Sequence, residues 1–387
     1  MRIHAAGFVI LSFLASAAPA FAQQYVARQT NDVVRLEDTT NQTVVAIIPG
    51  VGNVVHEMTV KGHNVLRWPY ASVDDFKAKP GMSALPFVGP WMGRLDEQAF
   101  YANGKRYAFD MELGNVRGAV PIHGFLTTNN QWQLVEVKAD GRSAWATSRL
   151  DFHKQPDWMK QWPFAHTIEI THRLQDGTLE VETRITNLST EPMPLAVGYH
   201  PYFRLTDSTR EEWTLSVPAK TLWTFKAGTK LPDGVTVPAT QLFPNPDSIS
   251  LKDYNLDDGL TDFVRDAQGR AHFVVKGKRQ QLDIMFGPNW NVINVWSPNP
   301  AGTGLGGNAV VNPNAPARAA APPATANTPG RGGRGGGNAD PNFIAFEPMA
   351  SLSNGLNLAH KGLYKEQQYV RPGATWTAAF WVKPGGF

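Results

Sequence analysis

The fold is decided by the stretch His166-Thr-Ile-Glu-Ile-Thr-His-Arg-Leu-Gln-Asp-Gly-Thr-Leu-Glu-Val-Glu-Thr-Arg-Ile-Thr186. On both sides of Asp176-Gly177, apolar and polar residues alternate with a period of two, which is typical of half-buried strands rather than helices. Asp-Gly between two such runs is a hairpin signal. The stretch therefore predicts two long antiparallel strands joined by a tight turn.

Similar turn signals recur along the chain, whereas long amphipathic helical runs are absent. Asn103-Gly104 separates Phe100-Tyr101 from a second aromatic run that begins at Tyr107, and Asp-Gly recurs at residues 140, 233 and 258. Many short strands without long helices favour sheet-on-sheet packing. The sequence therefore predicts an all-β fold, a large antiparallel β-sandwich with a few short helices.

The first residues have the features of an export signal. A basic start at Arg2 is followed by an apolar run from Ala5 to Leu14 and by Ala20-Phe21-Ala22. This order predicts a signal peptide over residues 1–22, and thus an exported protein, periplasmic or extracellular. No later segment approaches the ~20 apolar residues of a transmembrane helix. We expect residues 23–387 to form a single domain with no membrane partner.

Composition restricts the possible chemistry and partners. The 387 residues include no cysteine, so disulfides and thiol chemistry are excluded, while 12 Trp and 20 Phe can fill a large core. The formal net charge of +3 is too small to steer the chain to nucleic acid or an anionic membrane. We expect a small neutral ligand, and either a monomer or a homodimer fits the sequence.

Residues 299–341 interrupt the strand pattern. Gly, Pro, Ala and Asn dominate this segment, which cannot bury enough apolar surface to fold by itself. We predict a flexible insertion in a loop between two strands, one near Val292 and the other near Phe346. The Arg331-Gly-Gly-Arg334-Gly-Gly tract is similar to RNA-binding repeats. Two copies are weak evidence for RNA binding, and a flexible insertion is the simpler interpretation.

Two positions suggest acid/base chemistry. In Gly198-Tyr-His-Pro-Tyr-Phe203, His200 can exchange a proton near neutral pH, and the aromatic Tyr202 can form the wall of a sugar pocket. Glu347 follows an apolar run and precedes Pro348, which predicts a carboxylate at the end of a buried strand. A histidine between tyrosines is by itself more often structural, and a strand-end glutamate is often solvated.

Three further positions are weaker candidates. Arg94 lies close to Trp91 and can bind hydroxyl groups or stack on the indole. His123 precedes Gly124, which permits close backbone approach. Asp257 begins an Asp-Asp-Gly sequence, which in isolation is an ordinary turn.

Taken together and in order, these pieces resemble the aldose 1-epimerase (galactose mutarotase) family. The resemblance covers nearly all of the chain after residue 22, and the matching motifs are Gly89-Pro90-Trp91 with Arg94-Leu95, the hairpin from Phe100 to Tyr107, Ile122-His123-Gly124, Gly198 to Phe203, Leu256 to Thr261, and Phe346-Glu347-Pro348-Met349. Five or more motifs in family order are far more specific than any one of them.

The resemblance implies a fold, an activity and residue roles. The fold is the galactose mutarotase-like supersandwich, and the activity is interconversion of the α and β anomers of a free hexose without metal or cofactor. His200 resembles the family's general acid and Glu347 its general base. The residues expected to hold the sugar are Arg94, His123, Asp257 and the aromatic Tyr202.

Four positions depart from the pattern frequent in the family. They are Gly93, Phe125, Tyr199 and Arg204, where many members have Asn, Gly, Asn and Asn. We expect these changes to alter the pocket floor and hence the choice of sugar.

Three alternatives stay open on the sequence. A hexose-6-phosphate 1-epimerase has similar motifs, and Arg94 with Arg204 could form its phosphate site. A non-catalytic carbohydrate-binding protein could keep the sandwich and the aromatic wall. A surface interaction protein could act through the Gly/Pro/Arg segment.

Overall fold

The computed structural model of the chain describes residues 23–111, 120–307 and 340–387. The predicted signal peptide at 1–22 lies outside the described residues, as do residues 308–339 of the predicted insertion. Export and the flexible insertion therefore stay predictions, and so does the single-domain assignment.

Strands dominate the described residues, and the helices are short. The three α-helices are α1 (Val73–Ala78), α2 (Pro156–Gln161) and α3 (Gly355–His360), and single 3₁₀ turns lie at Phe152–Lys154, Arg210–Glu212, Ala239–Gln241 and Leu251–Asp253. The strands are β1 (Tyr25–Thr30), β2 (Val33–Asp38), β3 (Thr43–Ile48), β4 (Val54–Val60), β5 (His63–Asn64), β6 (Phe87–Val88), β7 (Ala99–Ala102), β8 (Lys105–Ala108), β9 (Gln133–Ala139), β10 (Ala144–Leu150), β11 (His166–Gln175), β12 (Thr178–Asn187), β13 (Met193–Pro194), β14 (Gly198–Tyr199), β15 (Thr214–Ser216), β16 (Ala219–Phe225), β17 (Pro232–Pro238), β18 (Ile249–Ser250), β19 (Leu256–Phe263), β20 (Ala271–Lys276), β21 (Gln281–Phe286), β22 (Val292–Ser297), β23 (Ala345–Met349), β24 (Tyr369–Val370) and β25 (Thr375–Gly385).

The predicted hairpin is present as β11 and β12. The two strands pair from His166 with Asn187 to Gln175 with Thr178. Asp176 and Gly177 form the turn with positive φ values of 49° and 68°, as a tight hairpin turn requires. One face of the pair is buried and the other is partly exposed, which explains the period of two in the sequence.

Two large antiparallel sheets and a smaller one carry the fold. The nine-stranded sheet has the order β18-β15-β20-β21-β25-β12-β11-β10-β9, and the seven-stranded sheet has the order β17-β16-β19-β22-β23-β14-β6. Strands β1 to β5 form a third sheet in chain order. The predicted all-β, antiparallel fold is confirmed.

The two large sheets pack face to face through aromatic side chains. Tyr199 of the seven-stranded sheet lies with its ring centroid 4.9 Å from that of Phe380 in the nine-stranded sheet. Its hydroxyl is hydrogen-bonded to the Thr183 hydroxyl at 2.6 Å. Further along, the rings of Phe346 and Phe273 lie 5.9 Å apart. These contacts join the sheets into the predicted sandwich.

Two of the predicted turns are instead inside strands. Asp233-Gly234 lies in β17, and Asp258-Gly259 lies in β19. Strand β19 pairs with β16 on one side and β22 on the other, so ladder hydrogen bonds outweigh the local preference of Asp-Gly for a turn. The interpretation of Asp257 as an ordinary turn residue is therefore wrong.

The position of Glu347 in its strand also differs from the predicted one. It lies in the middle of β23 rather than at a strand end, and Pro348 continues the strand opposite Ile293. On the other side of β23, the pairing with β14 includes only Met349. The missing N–H of Pro348 therefore falls where no ladder bond is needed, and the strand tolerates it.

Candidate active site

Four neighbouring strands of the seven-stranded sheet build the site. Paired residues of an antiparallel ladder, and residues two apart on one strand, point to the same face. Asp257 on β19 pairs with Trp296 on β22, and Asn294 on β22 pairs with Glu347 on β23. His200 directly follows β14, the next strand in the sheet. The ladder thus brings an acidic, an amide and an aromatic side chain to the face that Glu347 occupies.

His200 and Glu347 are in contact at the centre of the site. The distance from Nε2 of His200 to Oε1 of Glu347 is 3.4 Å. The two residues are only 6% and 2% exposed, so any charge on them lacks bulk water. The pair can pass one proton between imidazole and carboxylate, as an acid/base reaction needs.

Burial shifts the two groups in opposite directions. It lowers the pKa of the His200 imidazole to about 4, because desolvation disfavours the imidazolium. It raises the pKa of the Glu347 carboxyl well above its usual range; a hydrogen bond from Asn294 opposes this rise, Asp257 adds to it, and Arg94 opposes it. Both shifts act against charge, so burial favours the neutral imidazole and the protonated carboxyl, a pair that shares one proton.

Aromatic rings surround the imidazole. Tyr202 stacks on His200 at 4.8 Å with an interplanar angle of 23°, and Trp296 meets it edge-on at 5.3 Å. His123 meets it edge-on from another side at 5.5 Å. Burial and the charge of Glu347 raise the pKa of the Tyr202 hydroxyl, which therefore stays a hydrogen-bond donor. These rings form an apolar wall with polar tips, the usual lining of a sugar pocket.

The Gly93–Arg94 segment forms a rim of the site beside His123. The Arg94 N–H donates to Ser353 Oγ at 2.9 Å, and the Arg94 carbonyl accepts the Asn354 N–H at 2.7 Å. The Gly93 N–H donates to Nδ1 of His123 at 3.3 Å, which leaves the imidazole proton on Nε2. The backbone thus fixes both candidate sugar ligands.

Only glycine fits at position 93, one of the four departures from the expected family pattern. Gly93 has φ +75°, and a Cβ there would lie 2.6 Å from Ser353 Oγ and 2.9 Å from Ser353 Cα. We expect Gly93→Asn to lower the free energy of unfolding by about 2 kcal/mol. Gly104→Asn is a matched control, because Gly104 has φ +74° and open space around its Cβ position. Thermal unfolding checks this, and equal losses in the two variants would contradict the steric explanation.

The structure brings the predicted site residues together in one place. His200, Glu347, His123 and Tyr202 are linked by the contacts given above, and Arg94 acts electrostatically on Glu347. Asp257 joins them through Asn294, whose Nδ2 lies 3.3 Å from Asp257 Oδ1 and 3.1 Å from Glu347 Oε1.

Sequence reasoning missed three residues of the site: Asn294, Trp296 and Lys230. The first two alternate with buried Ile293 and Val295 along β22, so the period of two could have found them. Lys230 lies in the turn before β17, and no sequence signal marks it.

The four departures from the family pattern do not all face the pocket. Tyr199 is 1% exposed and points into the core between the sheets, so the prediction that it alters the pocket floor is wrong. The reason is strand alternation, since Tyr199 and His200 point to opposite faces. Phe125 packs against Trp91 at 5.9 Å.

Arg204 has partners that differ from those of Arg94. It donates to the Asn64 carbonyl at 3.2 Å and lies 3.5 Å from Asp340. It also lines a cleft with Arg67. The two arginines that suggested a phosphate site therefore take different partners.

Within residues 23–111, 120–307 and 340–387, no three His, Cys, Asp or Glu side chains are grouped so as to hold a metal ion. In the same part of the chain, no helix has the length and apolar character needed to cross a membrane.

The model of the family described as aldose 1-epimerase matches residues 33–332, more than half of the chain. The chain belongs to the aldose 1-epimerase family. This match confirms the resemblance, and its last matched residue precedes Glu347, so the carboxylate is placed in the site by the β22–β23 ladder.

Solved structures of similar fold include members from two bacteria. A galactose mutarotase-like protein from Clostridium acetobutylicum is 19% identical with a TM-score of 0.72, covering 94% of this chain and 98% of its own. The galactose 1-epimerase of Lactobacillus acidophilus NCFM is 14% identical with a TM-score of 0.66, covering 94% and 98%. At these identities the likeness establishes the fold, which is the predicted galactose mutarotase-like one.

Among curated proteins, this family member is similar to the uncharacterized protein YihR of Escherichia coli K12. The two are 26% identical over 183 residues, which is 46% of this chain and 53% of YihR. The alignment thus spans about half the length of the curated relative.

Proposed function

We propose that this protein is an aldose 1-epimerase that interconverts the α and β anomers of a free hexose such as glucose or galactose. The observation that carries the proposal is the buried contact of 3.4 Å between His200 and Glu347. The ring oxygen and the C1 hydroxyl of a cyclic sugar are bonded to the same carbon. His200 and Glu347, which are in contact, can therefore exchange protons with both of these oxygens in one sugar.

The reaction needs one base and one acid. Glu347 as carboxylate takes the proton of the C1 hydroxyl, while His200 as imidazolium protonates the ring oxygen and the C1–O bond opens. Rotation about C1–C2 presents the other face of the aldehyde, and ring closure with the reverse proton transfers yields the other anomer. No atom is gained or lost, and the enzyme returns to its starting protonation state.

The one proton that His200 and Glu347 share allows the pair to adopt the charged form that the reaction requires. With the proton on Glu347, the pair is neutral and suits the buried apo site. Transfer of that proton to His200 gives the imidazolium and carboxylate that the reaction uses, and sugar hydroxyls can solvate this form in place of water. We propose that sugar binding favours this transfer.

The remaining residues are proposed to hold the sugar. The Arg94 guanidinium and Nε2–H of His123 donate to hydroxyl oxygens, and the Asp257 carboxylate accepts from hydroxyl groups. Tyr202 supplies a ring wall and a hydroxyl donor. This division offers charged or fixed partners to the sugar hydroxyls, which favours one sugar orientation.

We expect a bell-shaped dependence of kcat/KM on pH. The lower limb is placed near pH 4, where the His200 imidazole gains a proton while Glu347 is still protonated. The upper limb lies at the raised pKa of Glu347, above which the pair loses its proton. Initial rates of anomer exchange, corrected for the buffer-catalysed reaction, check this. A kcat/KM that does not fall on the acid side near pH 4 in the folded protein would contradict it.

Polarimetry on freshly dissolved α-glucose and α-galactose tests the proposed activity. Faster decay of optical rotation than in the buffer blank supports it. Binding of either sugar without faster decay would favour the carbohydrate-binding alternative. Preference for glucose 6-phosphate over glucose would favour the phosphate-sugar alternative.

A further inference from the structure

Lys230 is held at the edge of the site by two contacts. Its Nζ lies 3.2 Å from Asp257 Oδ2 and donates to the Gly307 carbonyl at 2.7 Å. Its side chain is 30% exposed, and that of Asp257 is 23% exposed, so the pair is partly shielded from water. Partial shielding makes the ion pair matter more than one on the open surface.

Asp257 is connected to the proposed base through one amide. Nδ2 of Asn294 donates one hydrogen to Asp257 Oδ1 and the other to Glu347 Oε1. Both acceptors are carboxylate oxygens, so the nitrogen of the amide, and not its oxygen, must face them. Lys230, Asp257, Asn294 and Glu347 therefore form a continuous chain that ends at His200.

Asp257 and Glu347 share one amide and repel each other whenever both are ionised, which favours a proton on Glu347. The charge of Asp257 adds to the rise in the pKa of Glu347 and opposes the fall in that of His200. The other groups that act on Glu347 are His200 and Tyr202 from the β14 segment and Arg94 from the rim. Lys230 is the cation in contact with Asp257 among the described residues.

We propose that Lys230 is a positioning residue for the acid/base pair: by holding and neutralising Asp257, it fixes Asn294 and keeps Glu347 and His200 in the charge state that the reaction needs. The catalytic part of this role rests on the proposed function. The chain of contacts itself is independent of any substrate.

Lys230→Met keeps the length of the side chain and removes its charge. Asp257 then acts on Glu347 and His200 without its counterion, so both limbs of the pH profile move to higher pH. On the acid limb kcat/KM falls roughly tenfold, while on the alkaline limb it rises. Lys230→Arg keeps the charge and should keep the profile of the parent.

A double-mutant cycle isolates the coupling. Asp257→Asn removes the carboxylate that Lys230 neutralises, and it should move the limbs to lower pH even if it also weakens sugar binding. In the Asp257→Asn background, Lys230→Met should move the limbs much less than in the parent, because Asp258 is then the neighbouring carboxyl that Lys230 still acts on. An equal loss of kcat/KM at every pH in Lys230→Met would overturn the proposal, since it indicates lost packing at Gly307.

A second readout separates this inference from the proposed activity. Nitrogen NMR of histidine-labelled protein follows the titration of His200 directly, without substrate. We expect the titration of His200 to move to higher pH in Lys230→Met and to lower pH in Asp257→Asn. If the parent lacks mutarotase activity but these shifts occur, the proposed function fails and the coupling stands. If His200 titrates alike in all folded variants, the coupling is refuted whatever the activity.

Discussion

Glu347→Gln should abolish anomer exchange while leaving the fold intact. The substitution removes the proposed base, and general acid/base catalysis typically contributes a factor of 10²–10⁴, so we expect kcat to fall by about that factor. The amide oxygen of glutamine can still accept the N–H of Asn294, which now donates at 3.1 Å. Weak sugar binding should survive, because Arg94, His123 and Asp257 are unchanged. Polarimetry gives the rate, and calorimetry gives the binding.

The same variant should not lose stability. The folded pKa of Glu347 is raised above its unfolded value, so its contribution to stability is fully present below the unfolded pKa and is lost as pH rises from there through the folded pKa. Glutamine has no such penalty, and the melting temperature at pH 7 should equal or exceed that of the parent. Glu182→Gln is a matched control, because Glu182 lies on β12 in the other large sheet. Anomer exchange at the parental rate in Glu347→Gln would contradict the assignment of Glu347 as the base.

His200→Asn should produce a loss of comparable size. It removes the proposed acid for the ring oxygen and also the partner of Glu347 at 3.4 Å. The fold should persist, because the His200 backbone N–H donates to the Pro86 carbonyl at 3.1 Å and needs no side chain. We expect kcat to fall at least about a hundredfold. His63→Gln is the control, since His63 is exposed on β5.

The two losses should not add. An acid and a base that serve one sugar act as a unit, so the double variant should be about as slow as the slower single variant. Multiplication of the two effects would mean that His200 and Glu347 act in separate steps or on separate substrates. Anomer exchange measured for all four proteins at one pH decides this.

Much of the fold was predictable from local patterns. The period of two on both sides of Asp176-Gly177 predicted the β11–β12 hairpin, which is present with two positive φ values in the turn. The pattern was informative because this pair buries one face only. In contrast, Asp258-Gly259 has the same turn residues but lies inside β19, since two neighbouring strands pair with it.

The site was predictable from the resemblance but not from the residues alone. His200 in isolation was more likely structural, and only the order of motifs connected it with Glu347. The resemblance did not reveal Asn294 or Lys230, whose roles depend on which strands become neighbours in the sheet. Tyr199 was expected to alter the pocket floor because it departs from the family pattern, whereas strand alternation turns it into the core.

The most direct test of the account is anomer exchange at equilibrium. Two-dimensional exchange NMR on glucose and galactose measures the rate between α and β resonances without a change in composition. With residues 23–387 of the parent, the account predicts cross-peaks that build up far faster than in buffer, and with Glu347→Gln it predicts the buffer rate. Exchange at the buffer rate in the folded parent for every aldose tried would contradict it.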